Sequence, residues 1–275
     1  FFLALGDYVA ATGDTAEAER HWSKVAAIVA RYQRAAGPDG LPLKPNHDRD
    51  WADNVYREGH VAYDLGLWLG AMDVVAKLGA KHDPKLAAEA AALAKAGRAA
   101  LDTSLWLEEA GHHAEFRNTD GFVEDHFAID SLTLLRYEAT TPERAERMLR
   151  TAERMLESRG NPDQPYGDWG TLCAFPPYKR AADTRSKSAF AYRYHNGSDW
   201  PYWDGVYAQE RLRRGLGGAR YALTRWWQAC LQSGWAGAVE YYSPPYGRGS
   251  LLQGWSGLPA GVAVSFRASL LAEQG

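Results

Sequence analysis

Cysteine is scarce, charge of one sign is not in excess, and no long apolar run occurs; each shortage closes off a class of protein. Cys173 and Cys230 are the only two cysteines in 275 residues. Two thiols without metal-ligand spacing make neither a disulfide scaffold nor a zinc site. No stretch approaches the roughly 18 apolar residues of a membrane-spanning helix, so no membrane association is expected. Basic and acidic residues number 31 and 34, mixed along the chain, for a formal charge of -3. Such a chain lacks the basic face of a nucleic-acid binder and the polybasic patch of a membrane-surface protein. Paired strands and short-period repeats are not evident either, and no cofactor motif or spaced metal-ligand set is found; His112-His113 would aim its rings apart on any regular element. The chain opens Phe1-Phe2-Leu3 in mid-helix, without an initiator Met, and further natural sequence is expected upstream. Compartment and oligomeric state are not indicated.

Aromatic residues, by contrast, are abundant: eleven Trp and fifteen Tyr. Flat rings with one polar edge fill cores, but they also stack on the C–H faces of sugars. Most lie outside the helical stretches, and those stretches are otherwise clear. Residues 1–12 read as an apolar helix stopped at Gly13. From Asp14 to about Ala36 the stripe Ala18, Trp22, Val25, Val29 and Tyr32 marks an amphipathic helix. Residues 57–78 leave almost no polar face, and Asp83-Pro84 opens an Ala-rich helix to about Leu101. Further helices are expected over 125–138, 141–160, 202–214, 218–233 and 256–272.

These nine predicted helices alternate between buried and amphipathic. Short connections alternate with long polar or aromatic ones. That pattern suits hairpins arranged in concentric rings, in one all-α domain over 1–275, with the long loops gathered at one end and function there. A closed (α/α)6 barrel of six hairpins has twelve helices, so these would be the fourth to the twelfth.

The long loops carry the suggestive chemistry. The first holds Asp48-Arg49-Asp50-Trp51-Ala52-Asp53-Asn54. The second holds Asp168-Trp169 and Tyr194-His195-Asn196-Gly197-Ser198-Asp199-Trp200-Pro201-Tyr202-Trp203. The third holds Glu240-Tyr241-Tyr242 and then Gln253-Gly254-Trp255. Carboxylates beside Trp and Tyr are what glycoside hydrolysis needs. One acid protonates the leaving oxygen, a second group activates water, and rings shape the sugar pocket.

Four segments resemble a known family in order along the chain. Trp51-Ala52-Asp53-Asn54 is similar to the Trp-Met-Asp-Ala segment of amylo-α-1,6-glucosidases, the glucosidase half of glycogen debranching enzymes. Gly59 to Trp68 resembles that family's next helix, its Trp included. Tyr194-His195-Asn196-Gly197 with Trp200-Pro201 resembles an element shared with neutral invertases and related six-hairpin glycosidases. Glu240, Gly247, Gly249, Gln253, Trp255 and Ser256 resemble the ending that carries the family's general base. The resemblance implies an (α/α)6 barrel hydrolysing an α-glucoside or related oligosaccharide with inversion, Asp53 as general acid and Glu240 as general base. Asp50 is the reserve acid. Arg49, Trp51, Trp68 and Trp169 are candidate sugar-binding groups, as are His195, Asn196, Trp200, Tyr202, Gln253 and Trp255. The chain departs from the family at Tyr63, Leu65, Asp199 and Asp204, so α-1,6 specificity does not transfer. An acid at Asp53 would need a raised pKa, from Trp51 and low solvent access, and the two carboxyls of an inverting pair would stand roughly 6.5–9.5 Å apart.

Other readings stay open. A sugar epimerase on the same barrel would use histidine, and His60, His126 and His195 are present. A non-catalytic sugar-binding protein would need no matched carboxylates. A phosphorylase would need a basic pocket for phosphate. A terpene-cyclase-like acid motif is broken by Trp51 after Asp48-Arg49-Asp50.

Overall fold

The structure is a computed structural model and describes residues 1–45, 50–235, 237, 239–246, 248–249 and 253–273. The described residues form α1 (Phe2–Thr12), α2 (Thr15–Arg34), α3 (Ala62–Gly79), α4 (Pro84–Ser104), α5 (Thr133–Arg136), α6 (Pro142–Met155), α7 (Pro201–Arg213), α8 (Ala219–Gln232), α9 (Gly257–Ser265) and α10 (Arg267–Ala272). Local chemistry sets several ends. The side chains of Asp14, Asp83 and Thr141 accept hydrogen bonds from the amides of Ala16, Leu86 and Arg144. Each thereby satisfies an amide that the first helical turn leaves without a partner. Pro84 and Pro142 sit in first turns, where a missing N–H costs nothing.

The concentric arrangement expected from the sequence is present. Helices α1, α3, α5, α7 and α9 pack side by side as an inner layer, while α2 and α4 lie on α3 and α8 lies on α7. Of these, α1 and α9 each bury only two residues, whereas α3 and α7 are buried on several faces, with Leu65, Leu69 and Met72 of α3 and Val206 and Tyr207 of α7 having no exposed surface to speak of. Each such side chain contributes about 1.5–3 kcal/mol on burial. The approach of α5 to α3 requires a bare backbone at Gly66, where a Cβ would come within 2.7 Å of Thr133 Oγ1 and 3.0 Å of the Leu134 amide.

Four expectations need correction. The helix predicted from Arg57 begins only at Ala62. His60-Val61 instead pairs antiparallel with Phe116-Arg117, and Gly59 has φ 77 with its Cβ position 2.2 Å from the Arg117 carbonyl. Most of the helix predicted over 125–138 is absent. Phe127-Ala128 pairs with Ala174-Phe175, a 3₁₀ turn covers Ile129–Leu132, and only α5 is helical. The Ile129 amide is taken by the Cys173 carbonyl, which diverts the chain from a helix. Short strand pairs therefore exist where none was evident: 106–107 with 112–113, 116–117 with 123–124, and 242–243 with 248–249. They brace loops. The last predicted helix is also interrupted, between Ser265 and Arg267, giving α9 and α10.

Candidate active site

Asp53 and Glu240 are brought together by one central segment, 192–200. On one side, Asp50 accepts the Ala52 amide at 2.7 Å and tightens the turn before Asp53. The residues around it are stitched to 183–185: the Tyr56 amide to the Asp183 carbonyl at 2.7 Å, and the Arg185 amide to the Asn54 carbonyl at 3.1 Å. His195 then reaches across, its Nε2 3.1 Å from Asp53 Oδ1. On the other side Asp199 and Tyr242 exchange both backbone hydrogen bonds, at 2.8 and 3.0 Å. The Ser243 hydroxyl donates to the Tyr192 carbonyl at 2.9 Å. Glu240 hangs from this bridge. Tyr192 and Tyr194 hold left-handed backbone at φ 61 and 49, which costs an L side chain on the order of 1–3 kcal/mol and recurs at working sites.

Tyr194 senses both carboxylates. Burial raises its phenol pKa first, and the negative charges of Asp53 and Glu240 raise it further. Within the pair the order is opposite to expectation. Asp53 has a side chain 61 % exposed, and the His195 hydrogen bond outweighs partial burial to hold its pKa below the ordinary carboxylate value. Glu240 is half-buried, and burial pushes it up; Lys187 pulls it down and the Asp53 charge pushes it up again. Burial acts too weakly to raise Asp53, whose side chain stays largely exposed while Trp51 gives its indole N–H inward to Asp130. His195 is buried, which lowers its pKa and keeps the ring neutral, and its Nδ1 has no hydrogen-bond partner among the described residues. A neutral ring of free tautomer can donate to an ionised Asp53 or accept from a protonated one.

An aromatic wall stands behind the pair. The Trp51 ring meets His195 at 4.7 Å, Trp200 at 5.3 Å, Trp203 at 5.2 Å and Trp255 at 6.3 Å. His195 and Trp200 stack at 4.5 Å, and Trp200 stacks on Tyr241 at 5.2 Å. A cavity of about 420 Å³ is lined by Trp51, Tyr63, Tyr202, Trp203, Gln253, Gly254 and Trp255. That suffices for a sugar ring.

Of the residues singled out in the sequence, Asp53, Glu240, Trp51, His195, Trp200, Tyr202, Gln253 and Trp255 thus share one region. Others stand apart. Trp68 is 6 % exposed in the core against Gly97, and opens on a different cavity, of about 400 Å³, beside Phe2 and Ile28. Trp169 is buried, its indole N–H given to Gln164 Oε1 at 3.1 Å. Asn196 is buried too, bonded to the Ser188 carbonyl and the Tyr178 amide. Both brace the loop. Arg49 lies outside the described residues. Asp50, the reserve acid, is buried and paired with Arg57 and Lys44: burial pushes it up, but those two cations hold it down to about 2. Lys187, Tyr194 and Tyr241 were missed as site residues. Tyr194 sits within the Tyr-His-Asn-Gly segment and was within reach; Lys187, in Ser-Lys-Ser, carries no pattern.

No protein-family model matches the sequence, and no curated protein matches it. Solved structures do. A rhamnosidase from Klebsiella oxytoca with rhamnose bound aligns with TM-score 0.64 at 18% identity, over 96% of this chain and 45% of its own. A GH78 family rhamnosidase of a Bacillus species aligns with TM-score 0.66 at 17% identity, over 96% of this chain and 25% of its own. A GH63 mannosylglycerate hydrolase from Thermus thermophilus aligns with TM-score 0.51 at 18% identity, over 73% of this chain and 44% of its own. The chain spans less than half the length of each. These are glycoside hydrolases with folds of the (α/α)6-barrel type, and the fold here is all-α of that type. The likeness does not single out the amylo-α-1,6-glucosidases.

Proposed function

We propose that this chain carries the catalytic centre of an inverting glycoside hydrolase, with Asp53 as general acid and Glu240 as general base. One observation supports this most: two acidic side chains far apart in sequence meet closely enough that the Asp53 charge raises Glu240, beside a ring-lined cavity. The fold similarity to glycosidases adds weight. Substrate fits as a glycoside whose sugar stacks on Trp51 and Trp255 while its leaving oxygen faces Asp53. In the free protein Asp53 is the more acidic member, so the productive protonation state is the minority form. A bound sugar displaces water from the exposed Asp53 carboxyl, which raises its pKa, and neutral His195 accommodates the proton. Of the three histidines an epimerase would draw on, His195 alone contacts the pair among the described residues. His126 is sealed against Glu115 at 2.6 Å and His60 pairs with Asp39 at 2.9 Å.

The pKa order itself favours a second reading, in which Glu240 donates the proton and Asp53 activates water. Leaving-group chemistry separates the two. A dinitrophenyl glycoside departs without protonation, so loss of the acid spares it and loss of the base does not. The wild type is first offered α- and β-glucosides, rhamnosides and mannosides, with the released anomer followed by NMR. Asp53→Ala should then lose about a hundred- to ten-thousandfold on alkyl glycosides but little on the dinitrophenyl substrate. Glu240→Ala should lose both, with azide restoring turnover as a glycosyl azide of inverted configuration. The mirror-image result assigns the roles the other way. Release of the retained anomer, or full activity in both variants, sinks the proposal.

A further inference from the structure

Behind the aromatic wall stands a buried carboxylate that, given the glycosidase reading, has a part in shaping the pocket. Trp51 touches His195, Trp200, Trp203 and Trp255 within that wall, and its polar edge has an unusual partner. Its indole N–H donates to Asp130 Oδ2 at 2.6 Å. Trp203 lacks a partner for its indole nitrogen among the described residues, and Trp255 donates to the exposed Gln253 at 3.2 Å. Trp51 is therefore tied through the wall into the protein interior, where burial pushes the Asp130 carboxyl up in pKa while the Arg57 guanidinium and the Trp51 N–H itself favour its ionised form.

The anchor does not move. Asp130 is fully buried on the 3₁₀ turn Ile129–Leu132. That turn is pinned by the Ile129 amide to the Cys173 carbonyl at 2.8 Å, and by the Thr133 hydroxyl to the Asp130 carbonyl at 2.8 Å. The same carboxylate receives Arg57, whose guanidinium is held in turn by Asp50 and by Glu115 at 2.9 Å. From Trp51 the contacts run outward to His195 at 4.7 Å between ring centres, and from His195 to Asp53 at 3.1 Å. A ring fixed at its N–H cannot spin or slide in its plane, so the surface it offers a sugar and the backing it gives His195 are both set.

We propose that Asp130 is a positioning residue: by anchoring the Trp51 indole it fixes the wall of the sugar pocket and, through His195, the orientation of Asp53. The test uses the full chain labelled with ¹⁵N at the tryptophan indoles, as wild type, Asp130→Asn and Trp51→Phe. The last identifies the Trp51 signal by its loss. In the wild type the Trp51 N–H should lie downfield and exchange with solvent slowly. Asparagine keeps the shape of Asp130 and loses the charge. Asp130→Asn should therefore move that signal upfield and raise KM about tenfold on whichever aryl glycoside the wild type turns over, with a smaller fall in kcat.

Two results overturn the proposal. One is a wild-type Trp51 N–H that exchanges as fast as free tryptophan. The other is an Asp130→Asn protein of lowered Tm whose Trp51 signal and KM match the wild type, since Asp130 would then be a strut only. Should Asp130→Asn fail to fold, the wild-type exchange rate still decides. A wild type that turns over no glycoside strikes the glycosidase reading and leaves the anchor to the exchange measurement.

Discussion

Two groups of carboxylates come within three residues of each other along the chain only at Asp50 and Asp53, and they do opposite work. Around Arg57, the side chains of Asp50, Glu115 and Asp130 are buried to within 2 % of completely and share cations: Arg57 itself, Lys44 at Asp50, and His126 at Glu115. The Tyr178 hydroxyl adds a hydrogen bond to Glu115 at 2.6 Å. Around Tyr194, by contrast, the Asp53 side chain is largely exposed and Glu240 half-buried, with one neutral imidazole, a phenol and the charges of Arg185 and Lys187 for company. Every charge in the first group is committed to another protein group, which leaves none for a substrate. The second group is underpaired and reachable, the condition under which a proton can be given or taken. Identical side chains become scaffold or chemistry according to how much of their hydrogen-bonding capacity the fold has already used.

That contrast breaks most visibly on removing the central cation. Arg57→Met leaves three buried carboxylates facing each other, and losing one partner of a buried pair costs about 3–5 kcal/mol. Urea unfolding should show a destabilisation of that size. Asp53→Asn and Glu240→Gln should each stay within about 1 kcal/mol of wild type, as exposed and half-exposed positions do. Comparable destabilisation in all three would mean that the two regions form one structural network and that the contrast is false.

Legibility in the sequence follows the same division. Where local rules decide, most of the expectation held: of the α2 stripe Ala18, Val25 and Val29 are buried and Trp22 partly so, while Tyr32 at its end is exposed, and the caps at Asp14, Asp83 and Thr141 appear in place. Alternation of buried and amphipathic helices gave the layers, because burial on several faces leaves its mark on composition. Residues 125–138 misled for a physical reason. A short apolar run suits a buried strand or turn as well as a helix, and the choice fell to long-range contacts of Ile129 and Asp130 that no window contains. Tryptophans were ambiguous in the same way. Trp51 and Trp255 line the cavity beside the pair, Trp68 is packed in the core against a different one and Trp169 is packed inside the loop, and nothing in the residue type separates them. The pairing of Asp53 with Glu240 was legible only through resemblance; the scaffold at Arg57 was not legible at all.

A second, smaller effect tests whether the 199–204 region belongs with the scaffold. Asp199 and Asp204 are both fully buried and electrostatically coupled; burial raises Asp199 to about 7 and Asp204 well above the ordinary range, the Asp199 charge adding to the latter. The unfolded chain has released these protons above about pH 4, whereas the folded chain keeps them. Stability should therefore fall as pH rises from about 4 through 7, because deprotonation is penalised only in the folded state. Asp199 also exchanges backbone bonds with Tyr242, so the loss is felt at the strap that carries Glu240. Asp199→Asn removes one titrating member, and its Tm should drop less between pH 5 and pH 8 than the wild type's. Parallel Tm profiles would show that the pair does not titrate in that range.

The smallest effect bears on the cleft itself and sharpens the roles within it. The Lys187 ammonium lies over Tyr194 at 5.0 Å and Tyr241 at 5.6 Å, forms no ion pair among the described residues, and lowers Glu240. In Lys187→Met the Glu240 pKa should rise while Asp53, held by His195, stays low. The alkaline limb of kcat/KM, which reports the free enzyme, then moves to higher pH whichever residue is the acid, because limbs of a coupled pair follow the macroscopic constants and not the roles. The height of the profile does distinguish them. With Asp53 as acid and Glu240 as base, the productive form has the proton on the more acidic group, so widening the gap thins that form and lowers the maximum of kcat/KM. With the roles exchanged, the productive form is already the major one, and widening the gap only broadens the plateau. The change is modest for an exposed cation and should shrink further in high salt. A lowered maximum supports the proposed roles; an unchanged, broader one assigns the proton to Glu240.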